Sequence, residues 1–413
     1  MEKKFKVVTL GCRTNQSESA VYASQFLKLG YSQAQADEKV DFCIVNTCTV
    51  TESADSSSRH EIRQLIRLHP EAKIVVTGCL AERLPEEITK IAGVDLVVSN
   101  KDKENLVPLL LPEEEVPEFS LTHFPAHTRA FVKVQDGCNS FCTYCIIPYV
   151  RGRSRSRRVE EVVREVEGLV ANGYKEVVLT GINIGDFDGN GSGARLATLV
   201  RAVDAVEGLK RLRISSIDPD EVDDDLLDAV VNGKNTCPSL HLVLQSGSNL
   251  VLKRMNRKYT RQDFFASVEK LKKAHPDFTF TTDIIVGFPG ETDQDFAETL
   301  EVMEEVKFAK VHMFPYSERA RTRAALFPNK ISKEVIHERK QKVLRFAERH
   351  AFELRQNYVG RTMSVLVENA EEGMGHTENF LPVLAKLPGL KSNDIVRVRC
   401  TENHPEGLVG YAD

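Results

Sequence analysis

Three short apolar runs near the amino terminus each lead into a cysteine. Residues 5–10 precede Gly11-Cys12, residues 42–46 precede Thr47-Cys48, and residues 73–77 precede Gly78-Cys79. Runs of Val, Ile and Phe without polar alternation read as parallel strands covered on both faces. Between them, residues 16–29, 54–68 and 84–91 have helical spacing, and residues 95–98 form a fourth strand candidate. Strand alternating with helix predicts an open parallel α/β sheet within residues 1–115. Neighbouring parallel strands end on the same edge of a sheet, so Cys12, Cys48 and Cys79 can converge despite their separation. A single cysteine in such a place is ordinary packing. Three in matching places predict a ligand set.

A proline- and glutamate-rich stretch from Pro112 lies in a connection that ends the first unit, with a linker at residues 116–128. From Ala130 the alternation resumes on a larger scale, with strand candidates at 130–134, 176–180, 211–214, 240–244, 279–285 and 308–313. Six βα units fall short of a closed eight-stranded barrel, so a partial (βα)6 barrel is expected over residues 129–358, ending in a long charged helix from Ser332. Residues 359–413 carry only short strand candidates, at 362–368, 376–384, 394–400 and 407–411, and predict a small all-β barrel.

Composition narrows the function classes. With 55 basic and 60 acidic residues the net charge is -5, which excludes a uniformly basic nucleic-acid binder and requires any anionic partner to meet a local patch. No apolar run approaches the roughly 18 residues of a membrane helix, and the apolar stretch after Lys6 is too short for a signal peptide. A cytoplasmic protein without membrane association is expected. Nine cysteines in that compartment are unsuited to disulfides and point to metal ligation. Cys43, Cys237 and Cys400 have no companions in pattern and read as packing.

The densest group is Cys138-Asn-Ser-Phe-Cys142-Thr-Tyr-Cys145, directly after a barrel strand, where α/β active sites gather. Structural zinc prefers four protein ligands, whereas an iron–sulfur cube held by three cysteines keeps one iron open for a substrate. A zinc site would have to recruit His123 or His127. The spacing, with an aromatic residue before the last cysteine, resembles the cluster loop of the radical S-adenosylmethionine superfamily. Taken with Leu10-Gly-Cys12-Arg-Thr-Asn-Gln-Ser-Glu18, Asn46-Thr-Cys48, Thr77-Gly-Cys79, Ile147-Pro-Tyr-Val-Arg-Gly152 and Phe314-Pro-Tyr-Ser317, it resembles the methylthiotransferase family over essentially the whole chain. Gly375-His-Thr-Glu-Asn-Phe380 is similar to the signature of that family's terminal TRAM module.

The resemblance implies two [4Fe-4S] clusters, one on Cys138, Cys142 and Cys145 for radical generation and an auxiliary one on Cys12, Cys48 and Cys79. It implies S-adenosylmethionine, both as methyl donor and as radical source, and an electron donor such as flavodoxin or ferredoxin. Gly181, Asn183, Ser215, Gln245, Asp283 and Gly287 lie at expected strand ends, where similar enzymes contact this cofactor; their alternative reading is turn chemistry. The expected reaction is methylthiolation of carbon 2 of a modified adenosine beside the tRNA anticodon, by a monomer. An unpaired loop lets the base be splayed into a pocket.

Arg151, Arg153, Arg155, Arg157 and Arg158 form a basic run that could grip phosphates, with Arg319, Arg321 and Arg323 as additions. The alternative for such a run is a solvated loop. The family tends to show a Gly-Thr-Pro turn where this chain reads Ala320-Arg-Thr-Arg323. The terminal module holds five basic against eight acidic residues, so RNA contact there would use one face, or its role is orientation. The string Cys12-x-x-Asn-Gln-x-Glu resembles the branch acting on N6-threonylcarbamoyladenosine. The rival readings are isopentenyladenosine, an aspartate on a ribosomal protein, and a non-enzymatic iron–sulfur RNA-binding regulator.

Overall fold

The computed structural model describes residues 3–35, 38–124 and 128–412. The first sheet contains β1 (Lys4–Thr9), β2 (Ser32–Gln33), β3 (Phe42–Thr47), β4 (Lys73–Gly78) and β5 (Leu96–Val97), all parallel, in the order β2-β1-β3-β4-β5. All of β3 is buried, as its unbroken apolar run requires. Register pairs Thr9 with Asn46 and Thr47 with Gly78, so β1, β3 and β4 finish on one edge.

Helix α1 (Arg13–Lys28) follows β1, and α2 (Glu52–Leu68) follows β3. The latter is amphipathic and buries Ile62 and Leu65. In α1, by contrast, Ser17, Glu18, Ser24 and Gln25 are as buried as Tyr22 and Phe26. The helix is a wall shared by two cores: Tyr22 and Phe26 pack with Phe5, Phe42 and Ile44, while Ala20 and Val21 pack with the central unit. Polar groups sealed in such a wall require partners.

The central unit comprises β6 (Arg129–Lys133), the small antiparallel pair β7 (Gln135–Asp136) and β8 (Arg155–Ser156), then β9 (Glu176–Thr180), β10 (Arg211–Ile214), β11 (Ser216–Ile217), β12 (Ser239–Leu242), β13 (Thr279–Val286) and β14 (Lys310–Pro315). The wall is parallel and in chain order, β6-β9-β10 followed by β11-β12-β13-β14. Ser215 interrupts one continuous strand here, so that β10 pairs with β9 and β11 with β12. This is the expected six-stranded partial barrel. Helices including Val159–Ala171, Leu196–Asp204 and Arg261–Ala274 cover its outside through Val166, Leu199 and Phe264.

A helix over Lys333–Gln356 leads to β15 (Thr362–Asn369), β16 (Met374–Thr377), β17 (Pro382–Ala385), β18 (Ile395–His404) and β19 (Gly407–Ala412), a closed barrel. Residues 376–384, read from sequence as one strand, are two. Phe380 takes φ +62, and Leu381 N–H donates to Thr377 Oγ1 at 2.9 Å, so the chain reverses between β16 and β17. That hairpin seals the floor of the partial barrel. Arg213 donates to the carbonyls of Thr377 and Glu378, each at 2.8 Å, and its Nε pairs with Glu176 at 2.6 Å. Arg211 donates to the carbonyls of His376 and Ser364 at 3.0 and 2.8 Å.

A buried ion pair that loses one partner leaves a dehydrated charge behind. Arg213→Met should therefore destabilise the protein by about 3–5 kcal/mol, read as a lower urea midpoint. Arg213→Lys should recover only part, since one ammonium cannot reach the same set of acceptors.

Candidate active site

The first cysteine triad sits where β1, β3 and β4 end. Cys12 caps α1, Cys48 follows β3, and Cys79 opens a short helix, α3 (Cys79–Arg83). Gly11 at φ +94 lets the first loop approach the second: a methyl group there would lie 2.8 Å from both Cβ and Sγ of Cys48. Desolvation pushes the Cys48 thiol up to about 12, and the neighbouring Cys79 and Cys12 push in the same direction. Three free thiols that oppose each other's ionisation suit a cationic centre between them, and an iron–sulfur cube is such a centre.

The second triad lies on the loop after β7. Cys138 N–H donates to the Gly152 carbonyl at 3.1 Å, and Cys145 N–H donates to the Cys142 carbonyl at 3.0 Å. Desolvation pushes Cys145 up to about 12, with Cys142 and Cys138 adding to the effect. Arg257 donates to Cys142 Sγ at 3.0 Å and is held by Asp218. His123 instead sits 3.4 Å from the Tyr174 hydroxyl, and His127 lies outside the described residues.

The carboxyl ends of the barrel strands bring most of the expected cofactor positions together. The Gln135 side chain donates to the Gly137 carbonyl at 2.7 Å and accepts from the backbone of Ile182 and Asn183 at 2.9 Å. It thereby ties the cysteine loop to the Gly181–Asn183 turn. Ser215 Oγ and Gln245 Oε1 are buried without a hydrogen-bond partner among the described residues, as groups awaiting a ligand would be. Gln245, Asp283 and Cys145 border a cavity of about 170 Å³ that is also lined by Val50 and Thr51, from the loop between β3 and α2. Gly287 directly follows β13 and also packs on the long helix: a methyl group on it would lie 2.3 Å from Ile336.

The arginine run divides. Its expected surface role does not fit Arg151, which is fully buried and donates to Glu18 at 3.0 Å, Asp136 at 2.8 Å and Cys79 Sγ at 3.3 Å. Lys103 pairs with Glu18 at 2.6 Å, and Lys133 with the same carboxylate at 3.2 Å. Burial opposes ionisation of Glu18, yet Arg151, Lys103 and Lys133 together hold it far below the usual carboxylate range. Arg319 is buried too, 2.7 Å from Asp55, and Arg157 is half-buried against Glu165 at 3.1 Å. Arg151 ends the short helix Ile147–Val150 and turns inward to Glu18 and Asp136, whereas β8 carries Arg155 on the exposed side. Arg153, stacked 4.4 Å over Phe141, is exposed, as are Arg155, Arg158, Arg321 and Arg323.

Sequence reasoning missed Gln135, Asp136 and Arg257. The first two immediately precede Gly137-Cys138, a signal of position; nothing in the sequence marks Arg257. Asn15 and Glu18, read as part of a substrate-choosing string, are buried against Arg151 and do not face the barrel mouth.

A partial parallel barrel with a three-cysteine loop at its mouth defines a radical S-adenosylmethionine enzyme, and residues 132–303 match the Radical SAM superfamily. Residues 4–99 match the Uncharacterized protein family UPF0004. The threonylcarbamoyladenosine tRNA methylthiotransferase MtaB of Chlamydia pneumoniae is 49% identical over 98% of this chain and 97% of its own length. The MtaB of Bacillus subtilis is 39% identical, over 95% and 92%. A tRNA-2-methylthio-N(6)-dimethylallyladenosine synthase from Caldicellulosiruptor saccharolyticus is 37% identical, over 97% and 88%. The chain belongs to the radical S-adenosylmethionine tRNA methylthiotransferase family. Among solved structures, the methyltransferase TsrM of Kitasatospora setae shares the fold at TM-score 0.54 and 15% identity, over 76% of this chain and 75% of that one.

Glu221 lies beside this mouth, where desolvation and then Asp218 push its carboxyl up to about 8. An unfolded glutamate ionises near 4.3, so between those values the native state holds a proton that the unfolded state has lost. Its contribution to stability therefore falls as pH rises from about 4 to 8. Glu221→Gln should flatten that decline, measured as urea midpoints between pH 5.5 and 8.5.

Proposed function

We propose that this chain methylthiolates carbon 2 of N6-threonylcarbamoyladenosine at position 37 of tRNA, with two [4Fe-4S] clusters and S-adenosylmethionine. The observation that carries the reading is the pair of cysteine triads on the edges of two different parallel sheets, joined through the buried Arg151. Cys138, Cys142 and Cys145 would hold the radical cluster, and Cys12, Cys48 and Cys79 the auxiliary one. When bound, these groups supply the electron that cleaves S-adenosylmethionine and the sulfur that is transferred.

The protein's own groups prepare that chemistry. Arg257 and Arg151 each donate to one thiol of a triad, lowering the cost of burying thiolate charge. Ser215, Gln245, Asn183 and Asp283 are assigned to S-adenosylmethionine, with Gly181 shaping their loop. The cavity bordered by Cys145, Val50 and Thr51 is assigned to the reacting groups. Arg153, Arg155, Arg158, Arg321 and Arg323 are assigned to phosphates, with substitution of the first three expected to lower the salt slope of tRNA binding by about one unit per contact.

Residues 1–115, 129–358 and 359–413 are assigned as the methylthiotransferase, radical and TRAM-like units around a linker at 116–128. An electron donor of the flavodoxin or ferredoxin type, a monomeric state and a cytoplasmic location complete the proposal; among the described residues no helix is long and apolar enough to cross a membrane.

Two measurements test it. Anaerobically reconstituted protein should hold about eight irons, and replacing Cys12, Cys48 and Cys79 with alanine should halve them while deoxyadenosine formation persists. Offered equal amounts of tRNA bearing threonylcarbamoyl or isopentenyl adenosine, the enzyme should yield methylthio product mainly from the first. Preference for the second would overturn the substrate assignment.

A further inference from the structure

The inside of the partial barrel is charged. Arg129 pairs with Glu368 at 3.1 Å, Arg213 with Glu176 at 2.6 Å, and Arg211 with backbone carbonyls of the terminal barrel. A further guanidinium enters from the first turn of α1. Arg13 lies 5.4 Å over the ring of Phe131, half-buried, and makes no hydrogen bond or ion pair among the described residues. Arg129 stands two residues from Phe131 on the same face of β6, so a second cation lies close by. The carboxylates nearest to offsetting it are already engaged: Asp283 stands 3.2 Å from His241, and Glu176 serves Arg213.

A half-buried arginine without an ion-pair partner, beside another cation, is a place where an entering anion is favoured. Its position is informative. Arg13 follows Cys12 directly in the chain, and its side chain reaches Phe131 on β6, the strand that leads towards the Cys138 loop. It therefore links the cysteine edge of the first sheet to the inside of the barrel. Its planar fork matches a carboxylate in two parallel hydrogen bonds, which a phosphate-gripping surface arginine does not need to provide. Nearby, His312 is pushed down to about 4, chiefly by desolvation, and is neutral at pH 7. Its ring sits 5.7 Å from that of His241, so the neutral His312 imidazole offers a hydrogen-bonding group on the same inner face.

We infer that Arg13 is the specificity-determining residue of the site, binding the carboxylate of the threonyl arm on N6 of the substrate base. This rests on the substrate reading proposed above and adds the residue that enforces it. An isopentenyl arm offers no anion, and bound in its place it would leave the guanidinium dehydrated and unpaired, which disfavours the apolar substrate. Arg319 is paired with Asp55, and Arg321 and Arg323 are exposed to solvent, so none of the three competes for this role.

The test uses the reconstituted full-length enzyme and two fluorescent anticodon stem-loops. One carries threonylcarbamoyladenosine; the other carries the same arm with its carboxylate reduced to hydroxymethyl. Wild type should bind the first about ten- to hundredfold more tightly by anisotropy, the range for hydrogen bonds to a charged group. Arg13→Gln should remove that preference, and Arg13→Lys should reduce it, because a point charge cannot supply the fork. Since Arg13 adjoins Cys12, iron content is measured on each variant. Should Arg13→Gln fail to hold iron, Arg13→Lys decides. No preference in wild type, an undiminished preference in iron-replete Arg13→Gln, or an undiminished preference in Arg13→Lys would each overturn the assignment. Product analysis separates the two levels: methylthiolation of threonylcarbamoyl tRNA with the preference unmoved sinks only Arg13, whereas selective use of isopentenyl tRNA sinks the substrate reading itself.

Discussion

The relation between the two sheets depends on a knot of buried charge around Arg151. Five ionisable side chains, Glu18, Lys103, Lys133, Asp136 and Arg151, come from α1, the end of the first unit, β6, β7 and the segment after the cysteine loop. Dehydrating them is costly, and an apolar replacement of equal shape could give as much stability. Such a replacement would not give direction. Hydrogen bonds to charged groups tolerate little displacement, so the first sheet, its cysteine edge and the barrel mouth are held in one arrangement. Arg151 also reaches Cys79, which makes the same guanidinium part of the joint and part of the site.

A closed eight-stranded barrel fills its centre with packed aliphatic layers. Six strands leave room, and here the inward positions are Arg129, Phe131, Glu176, Arg213, His241, Asp283 and His312. Hydrophobic burial happens on the outside of the wall, against the helices, through Val132, Val177, Leu212 and Phe280. The inside is thereby released from supporting the fold and can be polar. That division lets S-adenosylmethionine and a hydrophilic nucleoside be accommodated without opening a core.

Much of this was legible in the sequence, because it was written locally. The strands at 42–47, 176–180 and 211–214 are marked by unbroken apolar or β-branched runs, and parallel order follows from their alternation with helices. The cysteine triads were legible for the same reason, since each residue sits next to an element end. What escaped depends on tertiary context. Arg151 and Arg153 are two residues apart and chemically identical, yet one is fully buried and the other solvent-exposed, because the carboxylates that hold Arg151 come from α1 and β7, distant in the chain. The polar burial on α1 was likewise invisible, because helical periodicity assumes one wet face and this helix has none along most of its length. The strand at 376–384 misled for a third reason: a reversal carried by Asn379 and Phe380 lacks the glycine that usually announces one.

The floor of the barrel is fastened in an unusual currency. Arg211 and Arg213 reach mainly for backbone carbonyls of Ser364, His376, Thr377 and Glu378, with few side chains on the far side of the joint. Main-chain oxygens are the same whatever residue bears them. Mutational drift across the exposed faces of the terminal barrel can therefore proceed without loosening its seat, provided the hairpin keeps its length. An inserted or deleted residue at the end of β16 has the opposite character, since His376, Thr377 and Glu378 are consecutive and present their carbonyls as a set. The terminal unit is thus a module whose outer surface is free to diverge while a large part of its attachment is policed by main-chain spacing.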